Sequence, residues 1–521
     1  MMKKTLLRMN TNIICVTGFF LFFFNASAVS ADSAPPLFDL PSQLTVDYLA
    51  INMPDNTPKM GLVGLHYDVN LLPVSNFYTG IGGYSAVQGK EGGFFALGID
   101  NVYRLKLTDT WFASAGLFVG GGGARSALVG GGLMVLPYVG LAYQIDHKII
   151  AVNYSYVKFP SGQISGSQVM ASLTVPLEFS YFHTQEQYSL FDAAALDLPI
   201  NKMADWSSWS FGPLAQVYKP RRGNVNLSGL PQQGRIGLVG FEAAHPVMNN
   251  LFVDARLLAA GKGNANGYMD ALFGLLYRIP LSDSLYWDND AMIGAGGGGQ
   301  VDTGNGMLVA VDTGLGWSIT PNFSLKGSVG YLDAIDGKFR AATLTVGANY
   351  SVDFLSARSS TSTLFSKQFT IKNWQVTESN ALFIKPQRSH DSGNINFIET
   401  TVNQFILPDY FVRYRAGFAY QGTYTGGMAL GMLGAGYQTQ PLFNLADLRA
   451  QLSLSVGAIG GGGIAAQGGA VTEPEADLNY QFNESVGLTA GVGRVISFSG
   501  NLNSTVVNAG LTFSFGKGQS V

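Results

Sequence analysis

The sequence predicts an all-β fold of antiparallel strands closed into barrels, with about 24 strands arranged as three eight-stranded repeats. Three observations carry this. The first is alternation. In "FALGIDNVYRLKL", Phe95, Leu97, Ile99, Tyr103, Leu105 and Leu107 share one face, while Ala96, Gly98, Asp100, Val102, Arg104 and Lys106 share the other. A period of two is a strand with one apolar and one small or polar face. "TVVNAGLTFSF" repeats the pattern, with Val507, Ala509, Leu511, Phe513 and Phe515 opposite Asn508, Gly510, Thr512 and Ser514. The second is composition: 66 Gly, 34 Phe and 23 Tyr against only 12% charged residues. Disordered chains are poor in aromatics and rich in charge. The third is that a set of landmarks recurs three times in one order.

Each repeat opens on "PLFD" (Pro36), "SLFD" (Ser189) or "TLFS" (Thr363). The first strand follows: "LTVDYLAINM", "WSFGPLAQVYKP" or "WQVTESNALFIKP". "GLVGLHYD" from Gly61 matches "GLVGFE" from Gly237 as the second strand. A proline turn comes next, at Leu72-Pro73, His245-Pro246 and Leu407-Pro408. The fourth strand aligns "GGFFALGIDNVYRL" with "NGYMDALFGLLYRI" and "GGMALGMLGAGYQT". The fifth ends on a tetraglycine, at Gly120–Gly123, Gly296–Gly299 and Gly460–Gly463. Tyr143, Trp317 and Tyr480 then mark the sixth strand, and Ser161-Gly162, Asp336-Gly337 and Ser499-Gly500 form tight hairpins, where glycine supplies positive φ. Aromatic strand ends close the copies at Phe179, Phe354 and Phe515.

The N-terminus reads as a secretory signal. Lys3, Lys4 and Arg8 precede an apolar run from Ile13 to Phe24 that is short for a bilayer span, with cleavage sites after Ala28 and Ala31. Cys15, the one cysteine, lies within this signal, so the mature chain has no thiol for disulfides or Cys-metal sites. Losing the three basic residues takes the formal charge from −3 to −6, which offers no basic face for nucleic acid. An exported chain of many alternating, Tyr- and Phe-rich strands resembles bacterial outer-membrane β-barrel proteins as a class. The resemblance covers nearly all of the mature sequence. It implies transmembrane strands in the Gram-negative outer membrane, contact with outer-membrane lipid and lipopolysaccharide, and insertion by the barrel-assembly machinery. A closed sheet satisfies every backbone group in lipid.

The expected organisation is a signal over 1–31, a first repeat over 32–183, and linker-plus-repeat segments over 184–355 and 356–521. Eight strands return the chain to the side it started from. Short turns such as "LTD" and "DH" fall on the periplasmic side, and "QGKEGG", "GKGNANG" and "GGGGARSALVGGG" fall outside. Tandem small barrels are preferred over one large barrel, because residues 184–205 and 355–368 are long for periplasmic turns and the inward faces carry Val, Leu, Met and Phe. Each tetraglycine should let its strand end curl so that the loop covers the barrel mouth.

Chemistry-bearing candidates are few. The mature histidines form no HExxH or comparable metal spacing, no GK[ST] follows any glycine run, and no shared Asp spacing follows the tetraglycines. No metal or cofactor is expected. Asp100, Arg104 and Arg278 fall on inward faces, Arg104 and Arg278 at one aligned position, and buried charges there need partners. Asp68, Glu242 and Glu399 lie near one another in the aligned copies, the first offset by two residues, and are the candidate partners. "RSHDSGNINF" carries His390-Asp391-Ser392, and its H-x-S element resembles outer-membrane lipid A deacylases. By that resemblance His390 is the base, Ser392 the nucleophile and Glu399 the orienting acid. Alignment of "KPRRGNVNL" with "KPQRSHDSGNINF" instead reads "SHDS" as a loop insertion. The expected role is therefore non-enzymatic, structural or surface-interacting. A porin-like passive channel is the first alternative and a lipid A acyl hydrolase the second.

Overall fold

A computed structural model describes residues 35–54, 57–71, 76–124, 126–198, 202–232, 234–358, 367–389, 393–443 and 447–521. The export signal, and the His390, Asp391 and Ser392 trio, lie outside the described residues. The chain is all-β and antiparallel. Its first eight strands are β1 (Phe38–Ile51), β2 (Met60–Val69), β3 (Phe77–Gln88), β4 (Phe95–Lys106), β5 (Trp111–Gly123), β6 (Met134–Ile145), β7 (Lys148–Lys158) and β8 (Ser165–Tyr181). Neighbours pair in sequence order, and β1 closes on β8 through pairs running from Phe38↔Tyr181 to Leu49↔Met170. A short strand, β9 (Leu190–Asp192), and a 3₁₀ turn (Ala193–Ala195) follow.

The next eight are β10 (Met203–Pro220), β11 (Ile236–Met248), β12 (Leu251–Lys262), β13 (Met269–Pro280), β14 (Leu285–Gly297), β15 (Met307–Thr320), β16 (Phe323–Ala334) and β17 (Arg340–Arg358). β10 pairs with β17 from Met203↔Arg358 to Pro220↔Ala341. The last eight are β18 (Gln368–Ile384), β19 (Ile395–Leu407), β20 (Tyr410–Gln421), β21 (Ala429–Gln438), β22 (Leu448–Gly460), β23 (Ala470–Gln481), β24 (Val486–Ser497) and β25 (Asn503–Ser520). β18 pairs with β25 from Phe369↔Ser520 to Ile384↔Thr505. Each run of eight therefore pairs its first strand with its last, while a single pair, Phe354↔Gln519, and β9 lying on β18 join the second and third runs into one 17-stranded sheet.

The strands alternate as barrel walls in lipid require. On β7, Ile150, Val152, Tyr154 and Tyr156 are exposed, whereas Asn153 and Ser155 are buried. This inside-out polarity is the reverse of a soluble barrel. The last strands run further than the linkers inferred from sequence allow. β17 continues through Leu355 and Ala357, and β10 begins at Met203. The reason is burial: Phe182, Phe191, Ala204, Leu355, Phe369 and Ile371 form one cluster where the three barrels meet, at the end where β1 begins and β25 finishes. Phe182 and Gly516 exchange both backbone hydrogen bonds there, at 2.9 and 2.7 Å.

At the opposite end, that of the tetraglycines, the barrels meet through glycines. An added Cβ on Gly93 of the first barrel would lie 2.4 Å from Gly298 N of the second. One on Gly267 of the second would lie 2.7 Å from Gly461 N of the third, and one on Gly427 of the third 2.9 Å from Gly123 O of the first. Each β3–β4-type loop thus lies on the fifth-strand end of the next barrel, and the contacts close into a ring. Phe95, Ala295 and Phe418, with Leu97, Met269 and Ala429 packed against them, fill the space inside it.

The ring corrects the reading of the tetraglycines. Phe95↔Gly123, Met269↔Gly297 and Ala429↔Gly460 are corresponding pairs, so Gly123, Gly297 and Gly460 are equivalent. The three runs all lie at fifth-strand ends but are out of register with one another. What the fold requires is a glycine at the crossing, where two backbones approach too closely for a Cβ. Mouth covering is seen in the first barrel as well. Val129, in the one-turn helix of the β5–β6 loop (Ser126–Val129), is buried in that barrel's apolar cluster.

Candidate functional site: the barrel lumens

Each lumen has two zones. The part at the tetraglycine end is apolar. It holds Tyr84, Phe94, Phe118 and Phe159 in the first barrel, Tyr218, Tyr268 and Phe339 in the second, and Phe383, Phe397 and Met428 in the third, all at most 2% exposed. Below it lies a cluster of charged side chains placed by inward positions of several strands.

In the second barrel Arg256, on β12, is the centre. Its Nε donates to Glu242 at 2.9 Å and its Nη1 to Asp312 at 2.5 Å, while Nη2 donates to Asp290. Asp254 stands 3.9 Å from Nε. Lys326 also donates to Glu242, and Asn349 reaches the same carboxylate at 3.2 Å. Four acids thus surround one guanidinium, whose fork of fixed donors suits several carboxylates at once. The cavity beside it, lined by Arg256, Asp288, Asp290, Asp312 and Lys326, is about 20 Å³, room for one water.

In the third barrel two arginines of β20 share the work. Arg413 donates to Asn403 at 2.9 Å, to Ser453 at 2.9 Å and to Glu475, and pairs with Asp477 at 2.9 Å. Arg415 donates to Glu473 at 2.8 Å and to Glu475, with Glu399 at 3.7 Å. Glu473, Glu475 and Asp477 are successive inward residues of β23. The first barrel has no such arginine. The position of Arg256 and Arg415 is taken by Gly82, where a Cβ would lie 1.9 Å from His66 Nδ1. His66 fills that space, with Nε2 3.1 Å from Asp47 and Nδ1 4.0 Å from Asp100.

The residues singled out from sequence are placed as follows. Asp100 is buried on β4 and accepts from Tyr138 at 3.3 Å. Arg104 and Arg278 are equivalent, but opposite them stand Ser114 and Asp288 respectively. Arg278 forms a bidentate pair with Asp288 at 2.8 and 2.9 Å and lies 3.8 Å from the Tyr286 ring centroid. Lacking that acid, Arg104 crosses the lumen to Gln43 and Thr174. Asp68, Glu242 and Glu399 all point inward, but at three different depths, because the second strands align Gly61 with Gly237 and Asn396. Glu399 is buried inside the third barrel beside Arg415. The sequence reading missed Arg256, Arg413, Arg415, Lys326 and the β23 acids. Their signal was available: charges at i, i+2 inside an alternating strand, as in Arg413-Tyr414-Arg415 and Glu473-Pro474-Glu475-Ala476-Asp477.

Among the described residues, no group of three or more His, Asp or Glu side chains could hold a metal ion. No helix of the described residues is long and apolar enough to cross a membrane, which says nothing of crossing by strands.

With lipid-facing walls and polar lumens, this is an outer-membrane-type β-barrel protein. No family model matches the chain, and no curated protein matches it. Among solved structures it is similar to OpdQ of Pseudomonas aeruginosa, at 9% identity over 94% of this chain and 100% of that one, with a TM-score of 0.20. It is similar to the outer membrane protein OpdK of the same organism, at 8% identity over 92% and 99%, TM-score 0.22. Acinetobacter baumannii OccAB4 is matched at 9% identity over 93% and 99%, TM-score 0.21.

Proposed function

We propose that the chain is a triplicated eight-stranded unit, exported by its N-terminal signal, that serves in the Gram-negative outer membrane as a structural or surface-interaction protein with closed lumens. The observation that supports closure is the filling of each lumen: an apolar external zone above an ion-paired middle. Small barrels fill with side chains, whereas wide ones hold water. The units would correspond to residues 32–183, 184–355 and 356–521 after removal of 1–31, with insertion by the barrel-assembly machinery. Sequencing the N-terminus of the mature protein should find Val29 or Asp32 first. A start at Met1 would remove the export signal from this reading.

A second reading is a passive channel for small solutes. The charged middle zones favour it, since rings of charge set selectivity wherever a lumen opens. Purified protein in planar bilayers separates the two. Closed lumens should give no steady conductance, and a steady large conductance would overturn the structural reading in favour of the channel.

A further inference from the structure

We propose that the external rim of the second barrel is a binding surface for a phosphate-bearing glycolipid headgroup of the outer leaflet. This rests on the outer-membrane reading above. The rim gathers Lys219, Arg221, Arg222, Arg235, Lys262 and Arg340 at or just beyond the ends of four adjacent strands. Arg221 N donates to Arg340 O at 2.8 Å, joining the β10 end to the β17 start. Tyr218 pairs with Ile236, which sets Lys219 beside Arg235, and Gly237 pairs with Lys262. All six are exposed. Arg340 is paired with Asp333 at 2.9 Å. The other five have no carboxylate partner among the described residues. Like charges on neighbouring strands destabilise a sheet unless a counter-charge lies between them.

The wall below this rim says what the counter-charge is. Val239, Leu344 and Val346, lower on the same strands, are 42%, 55% and 56% exposed and face outward. A side chain just above a hydrocarbon-facing wall lies at headgroup level. This end carries the longer loops, so the headgroups belong to the outer leaflet. Arginine forks and lysines bind phosphate oxygens through charge-assisted hydrogen bonds, and basic clusters at membrane surfaces attract anionic lipids.

The sister barrels act as an internal control. The positions of Lys219, Arg235, Lys262 and Arg340 are Asn52, Lys59, Gln88 and Ser165 in the first barrel, and Ile384, Asn394, Gln421 and Asn503 in the third. Barrel closure therefore does not need these cations. The first barrel keeps a cation only at the Arg235 position, as Lys59, and the third keeps none, so the cluster as a whole belongs to the second barrel.

The test uses the full-length protein with Lys219→Gln, Arg221→Gln, Arg222→Gln and Arg235→Gln combined. The probes are bis-phosphorylated lipid A, its dephosphorylated form, and inorganic phosphate as competitor. The variant should bind phosphorylated lipid A at least about tenfold more weakly than the unaltered protein. The dephosphorylated form should bind both proteins weakly, and millimolar phosphate should not displace the lipid. A Lys158→Gln, Lys385→Gln control, which removes external charge elsewhere, should bind normally. Heat resistance of both variants in detergent checks folding. An Arg222→Gln, Arg235→Gln pair, expected to show a smaller loss in the same direction, replaces the fourfold variant if that one fails to fold. Unchanged affinity in a folded variant overturns the headgroup site and leaves the outer-membrane reading intact. Absence of the unaltered protein from outer-membrane fractions would overturn that reading and the site with it.

Discussion

Replacing Arg256 with Met should unfold the second barrel at temperatures about 10 °C or more below the unaltered protein, while the first and third barrels are unaffected. The guanidinium holds Glu242, Asp290 and Asp312 and stands within 3.9 Å of Asp254. Methionine roughly fills the volume of the stem but leaves those acids facing one another in a closed lumen. Breaking a buried pair costs about 3–5 kcal/mol, because the surviving charge has lost its partner. For a unit of this size, each kcal/mol moves the melting temperature by about 2–4 °C. Lys326 still serves Glu242, so the damage should concentrate on Asp290 and Asp312. The triple variant Arg256→Met, Asp290→Asn, Asp312→Asn should therefore recover most of the loss. The measurement is the fraction of protein resisting unfolding in detergent as temperature rises. A single variant as stable as the parent, or a triple variant no better than the single, would show that the cluster is not held by charge. Arg278→Met is a milder case, since Arg278 pairs with Asp288 alone and its side chain is 26% exposed, against 3% for Arg256.

The same cluster shows where sequence is transparent and where it is not. A period of two says which side chains point inward, because it is a property of a single strand. Asp100, Arg104 and Arg278 could be placed on inward faces for that reason. Which inward residues meet is a property of the closed barrel. It depends on the stagger between strands, which brings Asp290 and Asp312, 34 and 56 residues away along the chain, onto one arginine. Arg104 and Arg278 illustrate the limit. Their positions are equivalent, yet one opposing residue, Ser114 in place of Asp288, sends them to different partners. Landmark order was legible, since each landmark is local. Register was not. The bulge between Gly61 and Leu62 is matched at Gly237/Leu238 and Asn396/Phe397, and from those equivalent glycine and asparagine positions Asp68, Glu242 and Glu399 lie successively closer, which separates them in depth. The packing of one barrel on another left no trace in periodicity at all. Its one sequence signal was an excess of glycine where two backbones cross.

That excess leads to the second large effect. Replacing Gly121 with Val should separate the third barrel from the first without unfolding either. Gly121 faces outward near the end of β5, and its backbone is not in the left-handed region, so a side chain there introduces no strain of its own. A Cβ would stand 2.6 Å from Phe418 O and 2.9 Å from Ala419 O, both in the third barrel. Neither carbonyl can give way, because both belong to the β20 ladder with β19 and β21. Overpacking of this kind costs about 1–3 kcal/mol when it is absorbed locally. Here the cheaper route is to open the junction. Gly426 N, bonded to Gly130 O at 2.9 Å across that junction, reports on it directly. Its amide should exchange much faster in the variant. Gly92 N, bonded to Gly304 O at 3.1 Å, belongs to the junction of the first and second barrels and should change less. Gly431→Ala is the control, an outward glycine with nothing within 4 Å of its Cβ position. If the glycine served only to let its loop cover the first barrel's mouth, Gly121→Val would raise permeability through that barrel and leave Gly426 exchange untouched. The structure predicts the opposite pair of results, since Val129 stays seated in the mouth and the clash lies outside the wall.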